Sequence, residues 1–278
     1  AADATDSSQA VDTVNPTVNN VDSTKADGSY KADEVIDVTV QFSEAVAVTG
    51  TPQLELETGD TDQKANYTSG TGTNTLTFTY TVQPGDTSAD LDYTGTGALT
   101  LNSGTIKDAA GNDATLTLAA PGATGSLGAN KALVIDANAP DTATVTTPAD
   151  GAKYNATTIP TAFTGSVGDD ANGAGMNANS ATFYIKNGTN YWNGTAWIET
   201  EAWLATTHSA TTDGSEVEWT DAIDLPTWTD GQSYEVKTKA LDKADNTLVG
   251  SSATFTYDTT APTVTISDDQ TGIASDAD

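Results

Sequence analysis

The stretch NTLTFTYTV, residues 74–82, alternates strictly: Leu76, Phe78, Tyr80 and Val82 fall on one side and threonines on the other. Successive side chains of an extended chain point to opposite faces, so a period of two marks a strand with one face in a core and one in water. VIDVTVQF (35–42) repeats the pattern with Val38, Val40 and Phe42 against Asp37, Thr39 and Gln41. Farther along, ATFYIKN (181–187), YEVKTKALD (234–242) and ATFTYD (253–258) do the same. Turn formers separate these runs, and no stretch carries a sustained helical stripe. The expected fold is all-β: two antiparallel β-sandwiches in line.

Two modules follow from length and from repetition. The chain has 278 residues, too many for one ordinary sandwich. VDTVNPTV (11–18), IDANAPDT (135–142) and YDTTAPTV (257–264) share one phrase, an apolar or aromatic residue, Asp, three small or polar residues, then Pro. Its aspartates, Asp12, Asp136 and Asp258, recur at intervals of 124 and 122 residues. Two further phrases repeat in register: ADG, carrying Asp27 and Asp150, and Asp-x-Ala-x-Asn, carrying Asp108 with Asn112 and Asp242 with Asn246. Matching punctuation around divergent cores marks copies of one layout. The expected modules are 11–137 and 138–258. Residues 1–10 read as the tail of a preceding module or linker, and 259–278 as a linker and the start of a following one.

Charge narrows the partners. Thirty-nine acidic residues face ten lysines, with no arginine, for a net charge of −29. Such a surface repels nucleic acid and anionic lipid, so neither nucleic acid nor direct membrane contact is expected. There is no cysteine, hence no disulfide brace. Cations are the natural small partners. In an Ig-like sandwich with an odd number of strands, the linker Asp136 would meet Asp169 and Asp170 of GDDANGAG and Asp242, Asp245 and Asn246 of LDKADN. Asp27, in the first turn of module one, is expected near the same junction. Gathered carboxylates repel one another, and a hard divalent ion relieves that. Ca2+, with six to eight oxygen ligands in flexible geometry, suits the set better than Mg2+. The proline would stiffen the joint by fixing its own φ and holding the residue before it extended. The plainer reading is that Asp, Asn, Gly and Pro are simply what turns require. Recurrence of three phrases in register favours the ion.

These residues resemble a known group. The DTTAPTV joints, FSEAVAVTGTPQLEL followed by YTSGTGTNTLTFTYTV, and IKDAAGN are similar to bacterial Ig-like tandem repeats of giant Gram-negative surface adhesins exported by type I secretion (RTX adhesins). The resemblance implies a cell-surface, extracellular stalk of monomeric modules whose partners are neighbouring modules, stiffened by calcium at the junctions. Carried over residue by residue, it implies roles for the linker positions Asp12, Asp136 and Asp258 and for Asp108, Asn112, Asp242 and Asn246. Module one departs from it in offering only Glu44 where module two has Asp169 and Asp170, so its entering end is expected to hold a weaker or differently built site.

Other readings attach to single features. All five tryptophans lie in module two, three of them in NYWNGTAWIETEAWL (190–204). Asn193-Gly194 reads as a two-residue type I′ turn that sets Trp192 and Trp197 diagonally on one face. With Trp203 they form the alternative reading, a platform for a sugar or peptide ligand, against the plain one of a shielded hairpin. The one histidine, His208, lies in a polar loop and makes no triad with its sequence neighbours. No enzymatic role is expected.

Overall fold

The computed structural model describes residues 11–265. The segment 1–10, and all of the expected third-module start beyond residue 265, lie outside the described residues.

Buried apolar side chains fall into two clusters, one running from Val21 to Ile135 and the other from Ala143 to Phe255. Both modules are Ig-like antiparallel sandwiches. In the first, the main sheet runs in the order Val18–Ser23, Val35–Thr49, Thr73–Thr81, Gln63–Ser69, Gln53–Leu56, Leu99–Thr100. Thr105–Lys107 pairs with the far end of the long Val35–Thr49 strand. A small second sheet joins Gly28–Tyr30, Leu133–Asp136 and Thr87–Ser88. The alternating runs behave as their period dictates. Val38, Val40, Leu76 and Phe78 are fully buried, and the threonines between them face outward. Each such side chain contributes about 1.5–3 kcal/mol by leaving water.

Module two is one curled sheet in the order Thr142–Ala143, Thr164–Gly168, Val217–Asp221, Leu204–Thr207, Thr182–Asn187, Gln232–Leu241, Thr247–Tyr257, Ala152–Tyr154. Its core is aromatic. Trp219 stacks on Phe183 at 5.4 Å and donates Nε1–H to the Thr144 carbonyl at 3.0 Å, so its one polar atom is satisfied inside.

Each module closes the same way. Its early strand crosses over and pairs parallel with the last strand, Gly28–Tyr30 with Leu133–Asp136 and Ala152–Tyr154 with Thr247–Tyr257. The ADG turn precedes that pairing in both, and its aspartate pins it. Asp27 Oδ1 accepts from Ala132 N–H at 3.1 Å, and Asp150 Oδ1 from Thr254 N–H at 2.8 Å. This corrects the expectation that Asp27 belongs to the junction. It lies beside Ala132, four residues and about 13 Å of strand before Asp136, and pairs with Lys131 at 3.6 Å.

Candidate metal centre

The last strand of module one delivers Asp136 to the joint, Asp169 follows directly on the strand Thr164–Gly168, and Asp242 on Gln232–Leu241. One carboxylate oxygen from each lies within 4.8 Å of the other two. All three residues are buried, Asp136 and Asp242 at 0% exposure and Asp169 at 1%. The three ion pairs of the described residues lie elsewhere, so no lysine neutralises this cluster.

Backbone donors hold the carboxylates in place. Ala174 N–H donates to Asp136 Oδ2 at 2.8 Å, and Gly175 N–H to Asp169 Oδ2 at 2.7 Å. Ala244 and Asn246 N–H both donate to Asp242 Oδ1 at 2.8 Å. Asp169 Oδ1 is buried with no partner, as is Oδ1 of the half-buried Asp170. A buried acceptor without a donor is costly, and two beside three carboxylates leave room for a positive guest. Burial, with the charges of Asp136 and Asp242, pushes Asp169 up to about 7. Asp242 is raised to about 6, again chiefly by burial, and Asp136 is raised as well, with Asp170 adding its charge.

Asn246 binds the linker through its side-chain nitrogen. Its side-chain amide donates to the Asp136 carbonyl and to Asp242 Oδ2, both at 2.9 Å, tethering the linker to the loop. Asp245 is exposed, at φ +65°, and its carbonyl accepts from Lys31 Nζ of module one at 3.0 Å. The Lys31 contact carried no signal in the sequence.

A second cluster forms at the other end of module one, where Asp12, Glu44 and Asp108 bring carboxylate oxygens within 4.8 Å of one another. Here Asp12 is exposed, Glu44 half-buried and Asp108 buried. Asn112 donates to the carbonyls of Asp12 at 3.2 Å and Val14 at 3.3 Å and to Asp108 Oδ2 at 2.6 Å, the same tether as in module two. Burial pushes Asp108 up, but donors from Asn112, Gly111 and Ala110 outweigh it and hold it below the ordinary range. Burial and the charges of Asp12 and Asp108 raise Glu44. At the far end of the chain, Asp258 is exposed and caps Thr260 N–H at 3.0 Å.

The tryptophan hairpin departs from expectation. Trp192 and Trp197 face each other directly, and four residues, 193–196, connect them. Asn193 Oδ1 accepts from Thr195 and Ala196 N–H, an Asx-stabilised loop that a dipeptide pattern does not separate from a two-residue turn. The two rings, 5.7 Å apart, pack onto the core, Trp197 against Tyr234 at 5.8 Å. Trp203 sits apart on the opposite face of the sheet, against Tyr184. His208 is buried, and its Nε2 accepts from Ala181 N–H at 3.0 Å, a structural role.

No family model and no curated protein matches the chain. Among solved structures it is similar to the chicken CNTN1 FN1-FN3 domains, with 13% identity, a TM-score of 0.32, and 89% of this chain and 67% of that one covered. It is also similar to a marsupial T cell receptor, with 9% identity, a TM-score of 0.24, and 86% and 98% covered. Among the described residues, no helix is long and apolar enough to cross a membrane.

Proposed function

We propose that the chain is a structural extender, a stalk segment of a bacterial cell-surface adhesin whose inter-module joints are braced by calcium. The observation that carries the reading is the buried, uncompensated trio Asp136, Asp169 and Asp242, assembled from both sides of the linker. Hard oxygen donors in an irregular arrangement suit Ca2+, which would neutralise the trio and tie module two to the strand leaving module one. Asp170 Oδ1 and the Asp169 oxygen without a partner would add to its shell. The same elements at Asp12, Glu44 and Asp108 support a repeated device, weaker because it is more exposed. Extracellular deployment, where calcium is millimolar, fits the weak affinities of such modules.

Thermal unfolding in EDTA and then across calcium and magnesium titrations tests it. The expected result is a calcium-specific rise in melting temperature, lost in Asp169→Asn, because only the folded joint binds the ion. An equal response to magnesium, or none, overturns the reading and leaves the aspartates as turn residues.

A further inference from the structure

The outward face of the module-two sheet gathers lysines and aromatic rings. Tyr184 lies there at 6% exposure, with Tyr191 meeting it edge-on at 5.3 Å and Trp203 leaning on it at 5.0 Å. A lysine lies over each ring. Lys186 Nζ is 5.5 Å from the centre of Tyr191, Lys237 is 6.0 Å from Tyr184, and Lys239 is 4.6 Å from Trp203. Strand register makes the set: Lys237 pairs directly with Tyr184, and Lys186 with both Glu235 and Tyr191. Two of the three ring–ammonium pairs are therefore built into regular strands, and the third brings Trp203, just before the strand Leu204–Thr207, under Lys239.

Charge makes this face unlike the rest of the molecule. It holds three of the ten lysines of a chain with 39 acidic residues. Glu235 and Glu201 lie on it, each hydrogen-bonded to a neighbouring ring. Glu235 takes the Tyr184 hydroxyl at 2.9 Å and Lys237 at 3.9 Å, and Glu201 accepts Trp203 Nε1–H at 2.6 Å. Lys186 and Lys239 make no ion pair among the described residues, although acidic side chains outnumber lysines almost four to one.

We infer that this face docks an acidic saccharide, a sugar chain bearing carboxylates. Tyr191 and Trp203, both half-buried and propped on the covered Tyr184, offer apolar surface to the C–H face of a sugar, and the two unpaired ammonium groups supply the anion contacts. An acidic polypeptide is the poorer fit, because only two unpaired lysines meet its dense charge and it brings no flat C–H face to the rings. A sugar chain with spaced carboxylates presents each charge locally, and beyond about 8 Å the surrounding acidity is screened. The core-packed pair Trp192 and Trp197 takes no part, and the inference does not depend on the metal centre.

The five indole N–H signals of the labelled protein, with that of Trp203 assigned through Trp203→Phe, give the readout. The probes are a hyaluronan tetrasaccharide, the neutral tetra-N-acetylchitotetraose (chitotetraose below), and a short poly-glutamate, each titrated to tens of millimolar. The expected result is a saturable shift confined to the Trp203 indole with hyaluronan. Chitotetraose and the double variant Lys186→Gln/Lys239→Gln should each bind at least about 5-fold more weakly, the loss expected of two exposed charge contacts. Unshifted spectra of the free variant verify its fold. No shift at Trp203, equal binding of chitotetraose, or tighter binding of poly-glutamate each overturns the proposal.

Discussion

The side-chain amide of Asn246 donates to the main-chain carbonyl of Asp136 at 2.9 Å, across 110 residues of chain and from one module's loop to the other module's exit. The equivalent bond, Asn112 to Asp12, spans 100 residues at the preceding joint. One residue type at one offset thus performs the same tether twice. Replacing Asn246 by Ala is expected to cost about 1–2 kcal/mol, because the carbonyl and Asp242 Oδ2 each lose a donor. Chemical unfolding measures the loss. Small-angle scattering should show a looser joint even with calcium present.

Gly173 leaves space for the acidic cluster. A Cβ built there would lie 2.4 Å from Asp169 Oδ2, 2.6 Å from its Cγ and 2.8 Å from Asp170 Oδ1. The Gly173→Ala variant should therefore displace the Asp169 carboxylate and weaken calcium binding at least about tenfold, equivalent to 1.4 kcal/mol. Calorimetric titration reads the affinity. An unchanged affinity would separate Asp169 from the site.

Metal-free stability should fall as pH rises. Asp169 and Asp242 are lifted from an ordinary 3.8 to about 7 and about 6, and Asp136 is also raised. Between those values the folded chain holds more protons than the unfolded one, so stability drops with each increment of pH. In EDTA the melting temperature is expected to decline from about pH 4 to pH 7, and Asp169→Asn should flatten the decline. Saturating calcium should remove it, since the ion takes the place of the protons.

Asp27 and Asp150 provide the contrast. Asp27→Ala or Asp150→Ala removes a cap on a last-strand N–H and should lower the melting temperature of its own module. The calcium-induced rise should be the same as in the parent protein. Loss of the calcium response in Asp27→Ala would return that residue to the junction.

Trp219→Ala should be the most damaging of these changes, at about 3–5 kcal/mol. It empties the centre of the module-two core, where Trp219 is 1% exposed, and leaves the Thr144 carbonyl without that donor. Denaturant titration followed by circular dichroism measures it.

The strands could be read from the sequence because burial imposes a period of two, and Leu76, Phe78 and Val82 sit where that period puts them. Asp136 and Asp242 stood out because their phrases repeat, whereas Asp169 has no matching phrase in module one and was placed beside them by sandwich topology alone. Asp27 could not be placed, because an aspartate before glycine is equally suited to capping a strand and to ligating an ion. Only the parallel pairing with Leu133–Asp136 distinguishes the two. Trp203 was grouped with Trp192 and Trp197 by nearness in the chain, yet the sheet separates them. Strand register, which sets Lys237 beside Tyr184, depends on partners far away in sequence.

The parallel closure at the two ends of each module has a mechanical consequence. When the chain is pulled from its ends, Gly28–Tyr30 and Leu133–Asp136 slide along each other, and so do Ala152–Tyr154 and Thr247–Tyr257. Their hydrogen bonds are then loaded together in shear, rather than peeled open one at a time as at the mouth of a hairpin. Lifetime under force follows the unfolding barrier rather than equilibrium stability. Two short clamps, each secured by the aspartate of an ADG turn, therefore bear the load in shear once the first strands Val18–Ser23 and Thr142–Ala143 have yielded.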